Sequence, residues 1–268
     1  MDPALPIGVF DSGIGGLTVL KDLAARLPNE NFIYLGDVAR LPYGTKSAHV
    51  VIRYAQTCVQ FLVNRRVKYV VIACNTATAM AISEVSHMVS VAVTGVIEPG
   101  VKAALSATKN GRVLVLATQS TVKSEAYLRE FERHGYGTHV EQIACPLLVP
   151  LAEEGWFNHE TTAHVIQSYL SKVQYKEFDT VLLGCTHYPL LEESFRRVLP
   201  QSIALVHGGP HLAQTVAQKL TEERLQNSSD SHFSHRFFST DTISSSLPII
   251  RALFDHPVDF ELVDLERQ

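Results

Sequence analysis

The stretch "KYVVIACNTATA", residues 68–79, decides the fold. An apolar run of strand length ends at a thiol, Cys74, and small hydrogen-bonding residues follow at once. Further along, "VLLGCTHYPLL", residues 181–191, repeats this arrangement around Cys185. Strands that are apolar throughout, and not only at every second position, are typical of parallel sheets covered by helices on both faces. The two stretches therefore predict an α/β fold, and their similarity indicates an internal duplication with one copy in each of two similar domains.

Strand and helix patterns alternate along the rest of the chain. "PIGVFDSGIGGLTVLKDLAARL", residues 6–27, predicts a strand, a glycine-rich turn and a helix. "NFIYLGD", "RVLVLAT", "HVEQIAC" and "SIALVHGG" predict further strands. In the serine-rich region of residues 224–247, "HRFFST" predicts a strand, and "DTISSSLPIIRALF" after it predicts a capped helix. We therefore expect a folded tail.

Composition excludes several classes of protein. The chain has 268 residues, 46% of them hydrophobic, and a net charge of −4. The densest basic cluster, Arg65, Arg66 and Lys68, fits a solvated helix end better than a nucleic-acid surface. Four widely spaced cysteines without a CxxC pair indicate reduced thiols and a cytoplasmic protein. No apolar run approaches the roughly 18 residues that cross a membrane, and we expect no signal peptide.

Ligands of parallel α/β sheets bind at the carboxyl ends of the strands. The polar residues expected there are Asp11, Asp37, Cys74, Thr118 and Cys185. Each of the two strand-end cysteines precedes a predicted helix, whose backbone N–H groups should lower the thiol pKa below about 8.5. Hydrogen-bonding pairs follow them, Asn75-Thr76 and Thr186-His187. Cys58 and Cys145 lie in apolar surroundings and are interpreted as packing residues.

The turn "DSGIGG" and His187 are two further candidates. The turn lacks a GxGxxG pattern, and Asp11 would repel a phosphate, so an ammonium group bound by Asp11 and Ser12 fits better. His187 could protonate a thiolate or polarise a carboxylate. Cys-x-His is a poor zinc spacing, so we expect no metal. Glu153 could assist His187 or lie on a helix surface.

These residues together resemble the glutamate racemases. "GVFDSGIGGLTVL", "ARLPYGTKS", "VIACNTATA", "GVIEPG", "CPLLVPLAEEG" and "LGCTHYPLL" match that family's pattern in order, over about residues 7–200. The resemblance implies a cofactor-independent racemase that supplies D-glutamate for bacterial peptidoglycan. It also implies two α/β domains, residues 1–96 with 208–268 and residues 97–207, and an active site in the cleft between them. Val38 and "VHGGPHLA" depart from the family pattern.

Residue roles follow from the resemblance by position. It implies that Cys74 and Cys185 are the catalytic thiols, with Asp11 and His187 assisting them, and that Cys74 abstracts from D-glutamate and Cys185 from L-glutamate. The implied substrate-binding residues are Asp11, Ser12, Tyr43, Gly44, Asn75, Thr76, Thr118, Thr121, Thr186 and His187. Two thiols on opposite faces of an α-carbon explain inversion, since one removes a proton while the other returns one. We expect no cofactor, and glutamate as partner without nucleic acid or membrane; a homodimer is compatible with the sequence.

Three alternatives stay open at this point. An aspartate racemase, or another cofactor-independent amino-acid racemase, would share the paired cysteines. A non-catalytic two-lobed amino-acid-binding protein would need the carboxylate and ammonium contacts but would have no use for two thiols. A hydrolase built on Cys185 and His187 would leave Cys74 idle.

Overall fold

The computed structural model describes residues 1–136, 139–171, 173–174, 177–227 and 235–266. Within these residues the strands form two sheets, and every pairing is parallel. The strands are Ile7–Asp11 (β1), Phe32–Gly36 (β2), Tyr69–Ile72 (β3), Ala92–Gly95 (β4), Val113–Ala117 (β5), Val140–Ala144 (β6), Thr180–Gly184 (β7), Ala204–His207 (β8), His235–Ser239 (β9) and Phe260–Leu262 (β10). The predicted α/β fold with parallel sheets is confirmed.

Helices connect the strands and cover the sheets. The α-helices are Leu17–Arg26 (α1), Ala48–Asn64 (α2), Asn75–Met88 (α3), Ile97–Ala107 (α4), Gln119–Lys123 (α5), Ala126–Arg133 (α6), Leu148–Glu153 (α7), Glu160–Leu170 (α8), Glu192–Val198 (α9), Gly209–Glu222 (α10) and Leu247–Leu253 (α11). Short 3-10 helices occupy Val38–Arg40, Tyr43–Thr45, Tyr188–Leu191 and Ser244–Ser246.

The order of strands repeats in the two sheets. The first sheet runs β10-β9-β2-β1-β3-β4 and the second runs β6-β5-β7-β8. The order second, first, third, fourth is therefore common to both, and in both the third strand leads to a candidate cysteine. All residues of β1, β3, β5 and β7 are buried, as expected for strands covered on both faces. The repeat agrees with the duplication predicted from the two cysteine stretches.

The tail of the chain returns to the first sheet. Strand β9 pairs with β2, in register from Phe32↔His235 to Gly36↔Ser239, and β10 pairs with β9. The strand predicted in "HRFFST" is thus confirmed, whereas β4 and β10 were not predicted. The predicted helix is α11, but its capping was predicted wrongly, since Ser246 makes no side-chain cap hydrogen bond. Residues 228–234 of the predicted serine-rich region lie outside the described residues.

The strands of the first sheet come from residues 7–95 and 235–262, and those of the second from residues 113–207. The domain boundaries, residues 1–96 with 208–268 and residues 97–207, stay a prediction, because a sheet order alone does not establish which segments fold together.

One residue of the basic cluster is not at a solvated helix end. Lys68 is 1% exposed, and its Nζ lies 2.5 Å from Oε2 of buried Glu30. Burial of a charge requires such a partner, so this lysine belongs to the interior. Among the described residues, no helix combines the length and the apolar character that crossing a bilayer requires.

Candidate active site

The two strand-end cysteines line the same pocket. Cys74 is the N-cap of α3, and Cys185 follows β7 directly. The pocket is lined by Ser12, Leu41, Pro42, Tyr43, Gly44, Cys74, Asn75, Thr76, Thr118, Val149, Cys185, Thr186 and His187. Most of the predicted site residues therefore converge at the facing strand ends of the two sheets. The lining by Leu41 and Pro42 in a loop and by Val149 in α7 was not predicted, because apolar side chains carry no chemical signal.

Three other predicted residues lie behind this lining. Asp11 reaches it through Thr186, whose Oγ1 lies 3.4 Å from Asp11 Oδ1. Thr121 lies against Thr76, with 3.0 Å between their hydroxyl oxygens. Glu153 reaches the lining through His187. These three side chains support lining residues.

The surroundings of Cys74 correct one expectation. Its Sγ accepts a hydrogen bond from the backbone N–H of Ala77 at 3.4 Å, and its thiol donates to Ser12 Oγ, also at 3.4 Å. Burial and the nearby Asp11 carboxylate nevertheless raise the pKa of Cys74 to about 12, since they outweigh these hydrogen bonds. The expectation that the helix end lowers this pKa is wrong for the closed pocket, and Cys74 holds its proton.

Cys185 lies beside a charged pair. Its Sγ is 3.9 Å from Nδ1 of His187, whose Nε2 is 2.5 Å from Oε1 of Glu153. Burial alone would lower the pKa of His187, but the hydrogen bonds to Cys185 and Glu153 raise it well above its usual value. Burial by itself would raise the pKa of Glu153, but the hydrogen bond and the charge of His187 lower it below its usual value. An imidazolium held by a carboxylate therefore faces the second thiol.

Glu153 does not lie on a helix surface, which was the alternative to a role beside His187. It ends α7, and its side chain is 15% exposed. Its second oxygen, Oε2, accepts a hydrogen bond from Ser246 at 2.8 Å. Ser246 was not predicted as a site residue, because it lies 93 residues away in the chain.

The glycine-rich turn is built around Asp11. Its Oδ2 accepts a hydrogen bond from the backbone N–H of Gly13 at 3.0 Å, and burial raises the pKa of the carboxyl. A Cβ atom at Gly15 would lie 2.6 Å from the ring of His187. The absence of a side chain at Gly15 thus lets the two cysteine-bearing halves approach.

Asn75 is oriented by Tyr127, a tyrosine outside the pocket lining. Its Oδ1 accepts a hydrogen bond from the hydroxyl of Tyr127 at 2.6 Å. With its oxygen occupied, Asn75 has its amide N–H₂ group left to donate. Tyr127 was not predicted; it lies in an otherwise ordinary amphipathic helix, α6, and no motif marks it.

Three threonine hydroxyls meet beside Asn75. The oxygens of Thr76, Thr118 and Thr121 are 2.9 to 3.0 Å apart in all three pairs. Each hydroxyl can donate to one neighbour and accept from the other, so the triangle satisfies itself. A carboxylate that entered the pocket could take over donors from Thr76 or Thr118, because both line it.

Tyr43 presents its ring to the pocket, while its hydroxyl points away and donates to Asp37 Oδ2. Asp37 also accepts hydrogen bonds from Arg40 Nε at 2.9 Å and from Thr240 Oγ1 at 3.0 Å. Cys58 lies beside this cluster, with Sγ 3.9 Å from Tyr43 Oη. Tyr43 therefore holds the wall of the pocket in place. Cys58 is buried as expected, and its role as a packing residue stays a prediction.

The pocket is closed. Its volume is about 20 Å³, close to the room that one water molecule needs and far below the roughly 300 Å³ of ordinary ligand sites. Two hydrogen bonds join segments of the two sheets: Thr18 Oγ1 donates to the carbonyl of Thr186 at 3.0 Å, and Ser120 Oγ donates to that of Lys46 at 3.0 Å. An amino acid is larger than this volume, so the pocket must widen for one to bind.

Metal binding has no support in this geometry. Across the part of the chain that the structure describes, no three His, Cys, Asp or Glu side chains are grouped so that they could hold a metal ion. Cys185 and His187 instead face each other and Glu153. The expectation that the chain binds no metal stays a prediction.

Comparison with known proteins places this chain among racemases. The model of the Asp/Glu/hydantoin racemase family matches residues 7–216. The glutamate racemase of Geobacter metallireducens is 43% identical over 239 residues, which cover 89% of this chain and 88% of that protein. The glutamate racemase of Koribacter versatilis is 39% identical, and the alignment covers 97% of each chain.

A solved structure resembles the whole molecule. It is the crystal structure of glutamate racemase from Francisella tularensis subsp. tularensis SCHU S4 in complex with D-glutamate. It superposes with a TM-score of 0.91 at 35% identity and covers 99% of this chain and 100% of that chain. The similarity thus includes the tail that the sequence motifs did not cover.

Proposed function

Because the chain belongs to the Asp/Glu/hydantoin racemase family, we propose that it interconverts L- and D-glutamate by proton transfer between the substrate α-carbon and two cysteines. It is an isomerase, and its relatives at 39–44% identity are glutamate racemases. The observation that carries the mechanism is the convergence of Cys74 and Cys185, each from one copy of a repeated strand-end motif, on a single pocket.

Inversion is explained most directly by two proton-carrying groups. A single base tends to return the proton to the face from which it came. With a thiolate on one face and a thiol on the other, removal and return occur on opposite faces, and the reverse reaction exchanges the two protonation states. Paired thiols are redundant in a binding protein, and a hydrolase would use only one of them.

Different ionisable groups lie beside the two thiols. Cys74 lies near Asp11, which disfavours a second negative charge there and helps keep this thiol protonated. Cys185 faces the imidazolium of His187, which can supply a proton to the sulfur or balance its negative charge. In this protonation pattern Cys185 accepts the α-proton of L-glutamate and Cys74 donates from the other face. D-glutamate reacts through the reverse assignment.

Preformed hydrogen-bond donors stabilise the carbanion. As the α-carbon loses its proton, negative charge moves onto the carboxylate, which Asn75, Thr76 and Thr186 can bind. Donors that are already oriented need no reorganisation during the reaction, and the closed pocket excludes water that would weaken them. Ser12 lines the pocket and can accept a hydrogen bond from the ammonium group, whose positive charge favours the ionised form of the buried Asp11 next to it. The reaction then needs no cofactor.

We place this activity in the cytoplasm, where reduced thiols persist, as the source of D-glutamate for peptidoglycan and hence for cell-wall growth and cell shape. A homodimer is part of the same proposal, and sedimentation at several concentrations would test it.

A substrate panel tests the function. The purified protein is incubated with L-glutamate, L-aspartate and a simple ester, without added cofactor and with EDTA, and chiral chromatography and ester hydrolysis are followed. We expect D-glutamate to form, with little D-aspartate and no hydrolysis. Faster formation of D-aspartate would assign the aspartate racemase activity, ester cleavage would assign the hydrolase, and binding of glutamate without turnover would assign the binding protein.

A further inference from the structure

Ser246 makes an unusual use of its hydroxyl. It lies in the 3-10 helix Ser244–Ser246, directly before α11, where a serine ordinarily caps the following helix. No such cap forms. Its Oγ instead donates to Glu153 Oε2 at 2.8 Å, although the two residues belong to different parts of the chain. Ser246 is 1% exposed, so this hydrogen bond is sheltered from water.

This hydrogen bond is the first of a series of contacts that leads to the thiol of Cys185. One oxygen of Glu153 accepts from Ser246 and the other contacts His187 Nε2, so both ends of the carboxylate are fixed. His187 Nδ1 in turn lies 3.9 Å from Cys185 Sγ. A carboxylate held at both oxygens cannot rotate, and the imidazole that it binds keeps its orientation toward the sulfur.

The C-terminal tail packs against the end of α7 close to this hydrogen bond. A Cβ atom at Gly155, just after α7, would lie 2.7 Å from Cβ of Pro248 in α11. The segment that carries Ser246 follows β9 of the first sheet, whereas Glu153 and His187 come from the part of the chain that forms the second sheet. A segment that follows β9 of the first sheet therefore supplies the last member of the series Cys185, His187, Glu153 and Ser246, whose other members belong to the second sheet's part of the chain.

We propose that Ser246 is a positioning residue for proton transfer at Cys185, acting through Glu153 and His187. This inference rests on the proposed racemase function and assigns no contact between Ser246 and the substrate. The sequence gives no hint of it, because serines are frequent in this region and Ser246 resembles its neighbours.

The test compares Ser246→Ala with Ser244→Ala, a matched control in the same 3-10 helix whose side chain is exposed. Loss of a hydrogen bond to a charged group corresponds to about a tenfold effect or more. We expect kcat of Ser246→Ala with glutamate to fall about tenfold while KM changes little, since the substrate contacts are intact. Ser244→Ala should retain wild-type kcat. Circular dichroism and thermal unfolding verify that both variants fold.

A double-mutant cycle separates positioning from a general structural role. If Ser246 acts through the Glu153 carboxylate, then Ser246→Ala should lower kcat less than about twofold in a Glu153→Ala background, in which no acceptor is left at this position. An equal tenfold loss in both backgrounds would overturn the inference, as would wild-type kcat in Ser246→Ala. A wild-type protein without glutamate racemase activity would overturn the proposed function and this inference with it, whereas an active wild type beside an unaffected Ser246→Ala variant overturns this inference alone.

Discussion

Replacing Gly15 by alanine tests the contact that closes the pocket. The added Cβ would lie 2.6 Å from Cε1 and Nδ1 of His187 and 2.8 Å from Oγ1 of Thr186. Neither neighbour can move freely, because Glu153 holds the imidazole and Asp11 contacts the threonine hydroxyl. The clash exists only while the turn that carries Gly15 is in contact with Thr186 and His187. We therefore expect the alanine to keep the turn apart from these two residues.

The magnitude follows from the cost of overpacking. An extra methyl group in a well-packed site costs about 1–3 kcal/mol, which corresponds to roughly fivefold to 150-fold at 1.36 kcal/mol per factor of ten. Because the cost falls on the closed form, we expect kcat/KM for glutamate to decrease by this factor. The free energy of unfolding should change little, since alanine restricts the unfolded chain more than glycine does and offsets part of the strain.

Initial-rate racemisation of Gly15→Ala, with urea unfolding of the same sample, measures both quantities. A wild-type kcat/KM would refute the argument that this glycine is needed for closure. A large loss of unfolding free energy with the activity loss would instead indicate general damage to the first sheet.

Three further predictions concern the cysteines. Cys74→Ala and Cys185→Ala should each abolish racemisation with an unchanged circular dichroism spectrum, whereas Cys58→Ala should retain turnover within about threefold of wild type, because removal of a packing residue mainly affects stability; the reverse pattern in a polarimetric assay would contradict the assignment. Since the enantiomers have equal free energies, kcat/KM must stay equal in both directions for Cys74→Ser and Cys185→Ser, and we expect instead unequal isotope effects with α-deuterated L- and D-glutamate; equal isotope effects would count against bases on opposite faces. Finally, the folded-state pKa of Cys74 is raised from 9.0 to about 12, so its contribution to stability is complete below pH 9 and is lost as the pH rises toward 12. As the pH rises across this range, the unfolding free energy of Cys74→Ala should therefore fall less steeply than that of wild type. Urea unfolding at several pH values measures both, and an equal pH dependence in the two proteins would show that the pKa is not raised.

Much of the pocket was predictable because its signals are local. An apolar run that ends at Cys74 or Cys185 marks a buried parallel strand and its carboxyl end, and parallel strands bring those ends together at one edge of a sheet. The small polar residues after each cysteine follow from the same pattern. The repeated strand order explains why the two ends could be matched to each other from the sequence.

Residues that act across long distances in the chain were not predictable. Ser246 contacts Glu153 from 93 positions away, Tyr127 contacts Asn75 from 52, and Thr18 reaches the carbonyl of Thr186 from 168. Serine, tyrosine and threonine are common in ordinary helices and turns, so only the folded chain reveals these roles.

The error about Cys74 has the same origin. The helix start that should lower its pKa is present and visible in the sequence. The burial and the Asp11 carboxylate that raise it come from the packing of other segments. Strand β10 was missed for a different reason: it has three residues, none of them buried, and so lacks an apolar pattern.

The central claim is that two different groups serve the two faces of one α-carbon. Racemisation of L-glutamate in D₂O at low conversion tests it most directly, with deuterium at the α-carbon of each enantiomer measured separately by mass spectrometry after chiral separation. We predict that the D-glutamate formed carries deuterium while the remaining L-glutamate carries almost none. Equal deuterium in both enantiomers would mean that one base serves both faces, which would contradict the account.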